Sequence, residues 1–340
     1  MAKIREIAAH VGLSYDTVAQ ILSPSGRKRN LYSPDTQRRV IEAAAKLGYR
    51  SSNAARGVKT GILGNITLVM CTRIHTSYVP PEVLTGVRRA VTERGYHLSI
   101  AWLEEVAFED PTFVPRIARE WSSDGLLVSY TLDVPTATLE AIHTSRQPAV
   151  FMNVDFPLAS VRPDDFGAGM LATQHLIKLG HRRIQYADSD TLPQHITGEH
   201  PIHYYVRHRY EGYLTAMREA GLEPRASFGG RCEPPRDLSW LDAKPAPTAV
   251  VMPHDAAIAE MLLRMTRTGR DVPRDLSVVV CANSALNWAG YQFDVVQIPH
   301  EAVAYRATCR LLNRIVDAKA DLSSEIVPCT LLSGNTTRPA

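Results

Sequence analysis

KIREIAAHVGLSYDTVAQIL, residues 3–22, reads as two short helices around a tight turn. Ile4, Ile7, Ala8 and Val11 recur at i, i+3, i+4 and i+7, the apolar stripe of a first helix. Gly12 permits the positive φ that ends it, and Leu13 fills the turn. Ser14 is a good N-cap for a second helix, whose Val18, Ile21 and Leu22 point back at the first. Tyr15, Asp16, Thr17 and Gln20 are left on the outer face. A short helix with polar side chains outward and basic residues around it suits the major groove of DNA. The small Ala8 and Gly12 favour a close crossing over an ordinary helical hairpin.

A third helix follows, capped by Ser33 with Pro34 in the first position. Its apolar side is expected to carry Val40, Ile41, Ala44, Ala45 and Leu47, and Gly48 ends it. Between the second and third helices lies SPSGRKRNLY, whose Arg27, Lys28 and Arg29 are candidates for phosphate contact. Residues 1–60 hold eleven Lys/Arg against four Asp/Glu, a net +7, which leaves −4 for the rest of a chain of net +3. A basic head on an acidic body is the asymmetry of a nucleic-acid reader joined to something else.

The remaining residues alternate strands and helices. ILGNITLVMC, YHLSIAWL, GLLVSY and PAVFMNV read as strands, separated by helices over 80–95, 113–125 and 136–147. The pattern then restarts. Helices over 168–180, 206–221 and 255–269 alternate with the strands RRIQYAD, PTAVVMP and LSVVVCAN. Two such series predict two α/β lobes, each a parallel sheet with helices on both faces, and a ligand cleft beyond the carboxyl ends of the strands.

The five cysteines, Cys71, Cys232, Cys281, Cys309 and Cys329, are scattered and form no CxxC pair, so reduced thiols are expected, with neither disulfide frame nor zinc site. No apolar run approaches the roughly 20 residues that span a membrane, and the first residues carry no apolar signal core. A cytoplasmic protein without membrane contact is expected.

The chain resembles the LacI/GalR (lactose-repressor) family of bacterial transcription regulators over essentially its whole length. Three segments carry the match: IREIAAHVGLSYDTVAQIL with SPDTQRRVIEAAAKLGYRSSNAAR, DDFGAGMLATQHLIKLGHRRI, and PTAVVMPHDAAIAEM with VPRDLSVVV. The resemblance implies an all-α helix-turn-helix head at 1–50, a hinge at 51–61, and a two-lobed periplasmic-binding-protein-like body at 62–340. The first lobe would take about 62–162 plus 297–326, the second about 163–296 plus 327–340. It implies a repressor that binds near-palindromic double-stranded operator DNA as a homodimer or tetramer. Its small-molecule effector would be a sugar, sugar acid or sugar phosphate.

The resemblance matches Tyr15, Asp16 and Gln20 to base-reading positions, with Ser14 and Thr17 beside them as DNA-binding candidates. Arg27, Lys28 and Arg29 lie in an insertion longer than the family's usual connection and are expected to add phosphate contact. Asp16 repels phosphate, so its contact would be to a base such as cytosine, and Gln20 is suited to adenine. In the hinge, Asn53, Ala54, Arg56 and Val58 match DNA-facing positions, with Val58 as the minor-groove wedge. Valine is a smaller wedge than the family's leucine, and Gly57 costs roughly 1 kcal/mol in a helix. For the effector, Arg209 matches a ligand-binding arginine and Asp255 an aspartate that can also cap a helix. Tyr78, Tyr130, Asn153, Asn283 and Trp288 complete the expected site. Asn153, Ala282 and Asn283 stand where acids are common, and His254 where asparagine is. With His208 and Arg209, these changes predict a cleft more positive than a neutral sugar needs.

No GxGxxG, GxxxxGK[ST] or Gly-x-Ser-x-Gly motif occurs. His195, His200 and His203 have the spacing of a polar loop and match no metal site. No enzyme, cofactor or metal is therefore expected. The alternative is a small-molecule binding protein or an enzyme on the same two-lobed fold, and the basic helical head argues against it.

Overall fold

The computed structural model describes residues 2–23, 29–50, 57, 61–70, 79–103, 110, 112–129, 136–157, 159–191, 193–196, 202–229 and 236–340. They form two compact units, Met1–Gly64 and Asn65–Ala340.

The first unit holds α1 (Ile4–Val11), α2 (Tyr15–Ile21), a 3₁₀ turn (Arg29–Leu31) and α3 (Pro34–Lys46). Gly12 ends α1 at φ +70°. Ser14 caps α2 by accepting from the Thr17 amide at 3.1 Å, and Ser33 caps α3 from that of Thr36 at 3.2 Å. Arg39 Nη2 donates to the Val11 carbonyl at 3.0 Å, which satisfies an acceptor at the end of α1. Ile7, Val18, Ile21 and Val40 are fully buried between the three helices. The stripe of α3 differs from the expected one. It runs through Val40, Ala43, Ala44 and Leu47, at i, i+3, i+4 and i+7, and leaves Ile41 and Ala45 exposed. Of the hinge, Gly57 is described: its carbonyl accepts from Gly61 N at 2.7 Å, and the Leu63 side chain occupies the space a Cβ there would need.

The second unit contains two six-stranded sheets. The first has the order β13-β5-β4-β3-β1-β2, from β1 (Asn65–Met70), β2 (His97–Trp102), β3 (Gly125–Ser129), β4 (Ala149–Met152), β5 (Ser160–Pro163) and β13 (Glu325–Val327), all parallel. The second has the order β14-β12-β9-β8-β6-β7, from β6 (Ile184–Asp188), β7 (Arg225–Phe228), β8 (Ala249–Met252), β9 (Ser277–Ala282), β12 (Asp294–Gln297) and β14 (Thr330–Leu332). Only β14 runs antiparallel to its neighbour in this sheet. The chain passes between the sheets after β5, after β12 and after β13, which makes two lobes from interleaved segments.

Each sheet is buried on both faces, as its near-continuous apolar strands require. Leu68, Leu127 and Val150 face one layer, while Val69, Leu126 and Phe151 face the other. In the second sheet Val250, Val278 and Val295 alternate with Val251, Val279 and Val296 in the same way. Helices α4 (Pro81–Glu93) and α11 (His300–Val316) cover the first sheet; α7 (Asp165–Lys178) and α9 (Tyr204–Glu219) cover the second, with α10 (Ile258–Arg267) on its other face. Both helix pairs cross backbone to backbone at glycine. A Cβ on Gly86 would collide with the Glu301 carbonyl, and one on Gly169 with that of Arg209.

The helix expected over 113–125 is reduced to α5 (Arg116–Arg119). Pro115 is extended before it, and Glu120, at ψ 136°, is extended after it. The Ser122–Ser123–Asp124 run that follows favours local turns over helix. Helix α6 (Thr136–Ser145), the four-residue α8 (Pro193–Ile196) and a hairpin of β10 (Asn287–Trp288) and β11 (Tyr291–Gln292) complete the numbering. No described helix is long and apolar enough to cross a membrane.

Candidate functional site

The first unit presents α2 outward. Tyr15 is half exposed, Asp16 is exposed, and Thr17 and Gln20 are half-buried. Ser14 and Thr17 are partly occupied with each other: besides the cap, Ser14 Oγ donates to Thr17 Oγ1 at 2.9 Å. Gln20 has a partner that its sequence position gave no hint of. Tyr32 Oη donates to Gln20 Oε1 at 2.7 Å. Arg27, Lys28, the side chain of Arg29, Asn53, Ala54, Arg56 and Val58 lie outside the described residues.

In the second unit the polar side chains gather where strands end and helices begin. Arg209, on α9, is buried. Its Nε and Nη2 each lie 2.8 Å from Asp165 Oδ1 at the start of α7. Its Nη1 donates to the Pro253 carbonyl, just past β8, at 2.5 Å, and its guanidinium stacks 4.5 Å over the Tyr205 ring. Burial alone would lower the pKa of Arg209, but the Asp165 carboxylate outweighs it and raises the value.

The next residue, His254, pairs through Nε2 with Asp188 Oδ1 at 3.0 Å, at the carboxyl end of β6. Asp190 lies 3.9 Å from the other ring nitrogen. Burial pulls the His254 pKa down, yet the hydrogen bond and charge of Asp188, with Asp190, lift it above the usual imidazole value. Asp188 is held below the usual carboxylate range, because that histidine and the Thr191 and Asp190 amides outweigh its burial. Arg236 is clamped between Asp190 at 2.9 Å and Glu260 at 2.7 Å.

A second group joins the lobes. Asn153, at φ +56° after β4, has its carbonyl 2.9 Å from His203 Nε2. Its Oδ1 accepts from Tyr204 Oη at 3.2 Å. Arg162 on β5 lies over the Tyr204 ring at 5.3 Å and pairs with Asp155 at 3.1 Å, and His208 approaches the same carboxylate at 3.7 Å. Burial, then the Arg209 charge, pushes His300 down to about 4, so it is neutral near pH 7. Asp188 Oδ2 and the Nδ1 atoms of His208, His254 and His300 are buried without a hydrogen-bond partner. A cluster of unspent acceptors and imidazole nitrogens is the kind of lining that a polar ligand satisfies.

The structure thus brings Arg209 together with Pro253, and His254 with Asp188, rather than with Asp255. Asp255 is exposed. It does not cap α10, which begins at Ile258; only its carbonyl takes part, accepting from Ile258 N at 3.1 Å. Asn283 is half-buried, with its carbonyl on Gln297 Nε2 at 3.3 Å. Trp288 lies on the hairpin, 43% exposed. Tyr78 and Tyr130 lie outside the described residues, as do His200 and the side chain of His195. Among the described residues the expected positive cleft is not found: Arg162, Arg209 and Arg236 each face a carboxylate of the protein. The acids beside Arg209 and His254 are Asp165, Asp188 and Asp190, which the sequence reading did not select. The signal available for Asp188 was its place at the carboxyl end of a parallel strand. Among the described residues no three His, Cys, Asp or Glu side chains gather to hold a metal ion.

Comparison with known proteins gives two family matches. Residues 85–228 match the periplasmic binding proteins and sugar binding domain of the LacI family, and residues 173–337 match the periplasmic binding protein-like domain. The HTH-type transcriptional repressor PurR of Actinobacillus pleuropneumoniae serotype 3 is 27% identical over 293 residues, covering 82% of this chain and 80% of that one. The PurR of Edwardsiella ictaluri is 27% identical over 336 residues, covering 94% and 92%. Among solved structures, the Lac repressor bound to ONPG in its repressed state superposes with a TM-score of 0.76 at 18% identity, over 99% of both chains. A LacI-family regulator from Silicibacter pomeroyi gives 0.70 at 20% identity, over 99% of this chain and 100% of that one.

Proposed function

Since the chain belongs to the LacI/GalR family of transcription regulators and is a ligand-responsive DNA-binding repressor, we propose that two copies grip one near-palindromic operator. Each head lays α2 in a major groove. Tyr15, Asp16, Thr17 and Gln20 meet base edges, with Ser14 beside them at the cap. Arg27, Lys28 and Arg29 take phosphates, and Asn53, Ala54, Arg56 and Val58 of the hinge meet the minor groove at the centre. One head of this size buries too little surface for specific affinity, and two-fold symmetry supplies the second. The protein works in the cytoplasm, where operator DNA is found, and carries out no catalysis.

The effector occupies the cleft around Arg209, His254 and Asp188, with Asn153 on the opposite lobe. The family resemblance adds Asp255, Asn283, Trp288, Tyr78 and Tyr130 as further effector contacts. The observation that carries this is the set of buried, unpartnered polar atoms on Asp188, His208, His254 and His300. Alternating acceptors and donors suit hydroxyl groups, which do both. A neutral sugar is therefore favoured over a sugar acid or sugar phosphate, whose charge would have to compete with Asp155, Asp165 and Asp190 for the arginines.

A thermal-shift screen of the full chain against neutral sugars, sugar acids, sugar phosphates and purines tests this. A ligand that binds only the native state raises its melting temperature. Stabilisation by a neutral sugar and not by its acid analogue is expected. The reverse order would overturn the assignment.

A further inference from the structure

The Tyr32–Gln20 hydrogen bond constrains which base the head can read. Tyr32 is held from three sides. Its ring packs against the core of the first unit, its phenol reaches Gln20 on α2, and its carbonyl accepts from Gln37 Nε2 on α3 at 2.9 Å. Both helices therefore fix the hydroxyl in place. Gln20 answers it with Oε1, at 2.7 Å. The carboxamide is then turned with its oxygen toward the protein and its NH₂ away from Tyr32.

A free glutamine reads adenine bidentately, accepting from N6 through Oε1 and donating to N7 through Nε2. With one lone pair of Oε1 already committed to Tyr32, the two Nε2–H donors are the part of the amide left wholly free for a base. In the major groove guanine presents two acceptors, N7 and O6, and thymine presents O4; adenine adds a donor, and cytosine presents a donor alone.

We propose that Tyr32 is a positioning residue for sequence readout, setting the Gln20 amide so that it selects an acceptor-only edge, guanine or thymine, over adenine. This rests on the reading that α2 enters the major groove. It revises the adenine contact that glutamine alone suggests.

Selection of the full chain on a randomised duplex pool tests it, run for the unaltered protein, Gln20→Ala and Tyr32→Phe. Gln20→Ala locates the position by flattening the preference at one base pair of each half-site. There the unaltered protein is expected to take guanine or thymine, with adenine disfavoured roughly tenfold. Tyr32→Phe keeps the ring and removes only the hydroxyl, so adenine should be recovered at that position with the other positions unchanged. A change in folding alone would lower binding to all sequences and leave the preference as it was.

Adenine or cytosine at that position in the unaltered protein, or an identical profile for Tyr32→Phe, would overturn the inference while leaving α2 as the reading helix. If Gln20→Ala alters no position, Gln20 reads no base and the inference fails. If Tyr15→Ala and Asp16→Ala alter none either, the groove-reading assignment itself fails.

Discussion

In the first unit Asp35 and Arg38 meet at 2.5 Å with 62% and 68% of their side chains exposed; in the second, Asp165 and Arg209 meet at 2.8 Å with 1% and 8% exposed. The two ion pairs have similar lengths and opposite consequences. Water screens the first, so its charges stay available to an outside partner such as DNA phosphate. The second has left water, and each charge depends on the other. The difference teaches how one chain uses charge in two ways. An excess of exposed basic residues attracts a polyanion, and matched buried charges tie the start of α7 and the end of β8 to α9 around the proposed effector site.

Breaking the buried pair should have the largest effect. Asp165→Ala strands the Arg209 guanidinium, and the second unit is expected to lose about 3–5 kcal/mol of stability in urea unfolding of the full chain. A loss under 1 kcal/mol would mean that the Pro253 carbonyl and Tyr205 suffice for Arg209. Gly169→Ala comes next. Its Cβ would strike the Arg209 carbonyl, so α7 and α9 must separate, at a cost of about 1–3 kcal/mol. Unchanged unfolding would show that the helices part freely.

The His254–Asp188 pair gives a pH-dependent contribution. The folded His254 pKa is raised, so its stabilisation is complete below the unfolded value of about 6.5 and is lost as pH rises through the folded value. Asp188 is lowered, so its share is present above about 3.9 and is lost as pH falls through its folded value. The pair should stabilise most between those limits. Urea midpoints across pH 4–9 for the unaltered protein and His254→Gln would reveal it as a difference that shrinks toward alkaline pH. A constant difference would remove the titration from the explanation. The smallest effect belongs to Asp35→Ala, expected at no more than roughly 0.5 kcal/mol because the pair is exposed.

The same contrast explains what could be read beforehand. The head was legible because its core depends on local periodicity: Ile7, Val11, Val18 and Val40 fall where the pattern puts them. The error on α3 was one of phase, since Ile41 is more apolar than Ala43 and yet Ala43 faces the core. The α/β alternation was equally visible. The helix over 113–125 was not, because a short apolar spacing cannot by itself hold a helix between Pro115 and a run of turn-forming residues. In the cleft, the motif around Arg209 marked the arginine alone. Its partners Asp165 and Pro253 are each 44 residues away, and only the crossing of α7 with α9 and the end of β8 brings them in. His203 read as part of a polar loop, and its contact with Asn153 spans 50 residues between lobes.

The most direct measurement is the affinity of the full chain for its selected duplex, with and without the sugar that the thermal-shift screen returns. Saturating sugar is expected to change Kd by roughly 5- to 150-fold, a coupling of about 1–3 kcal/mol, and the duplex must change the sugar affinity by the same factor. His254→Gln should reduce that factor while leaving the affinity for DNA alone unchanged. A duplex affinity that stays the same at saturating sugar would contradict a ligand-gated DNA reader, whatever either unit binds separately.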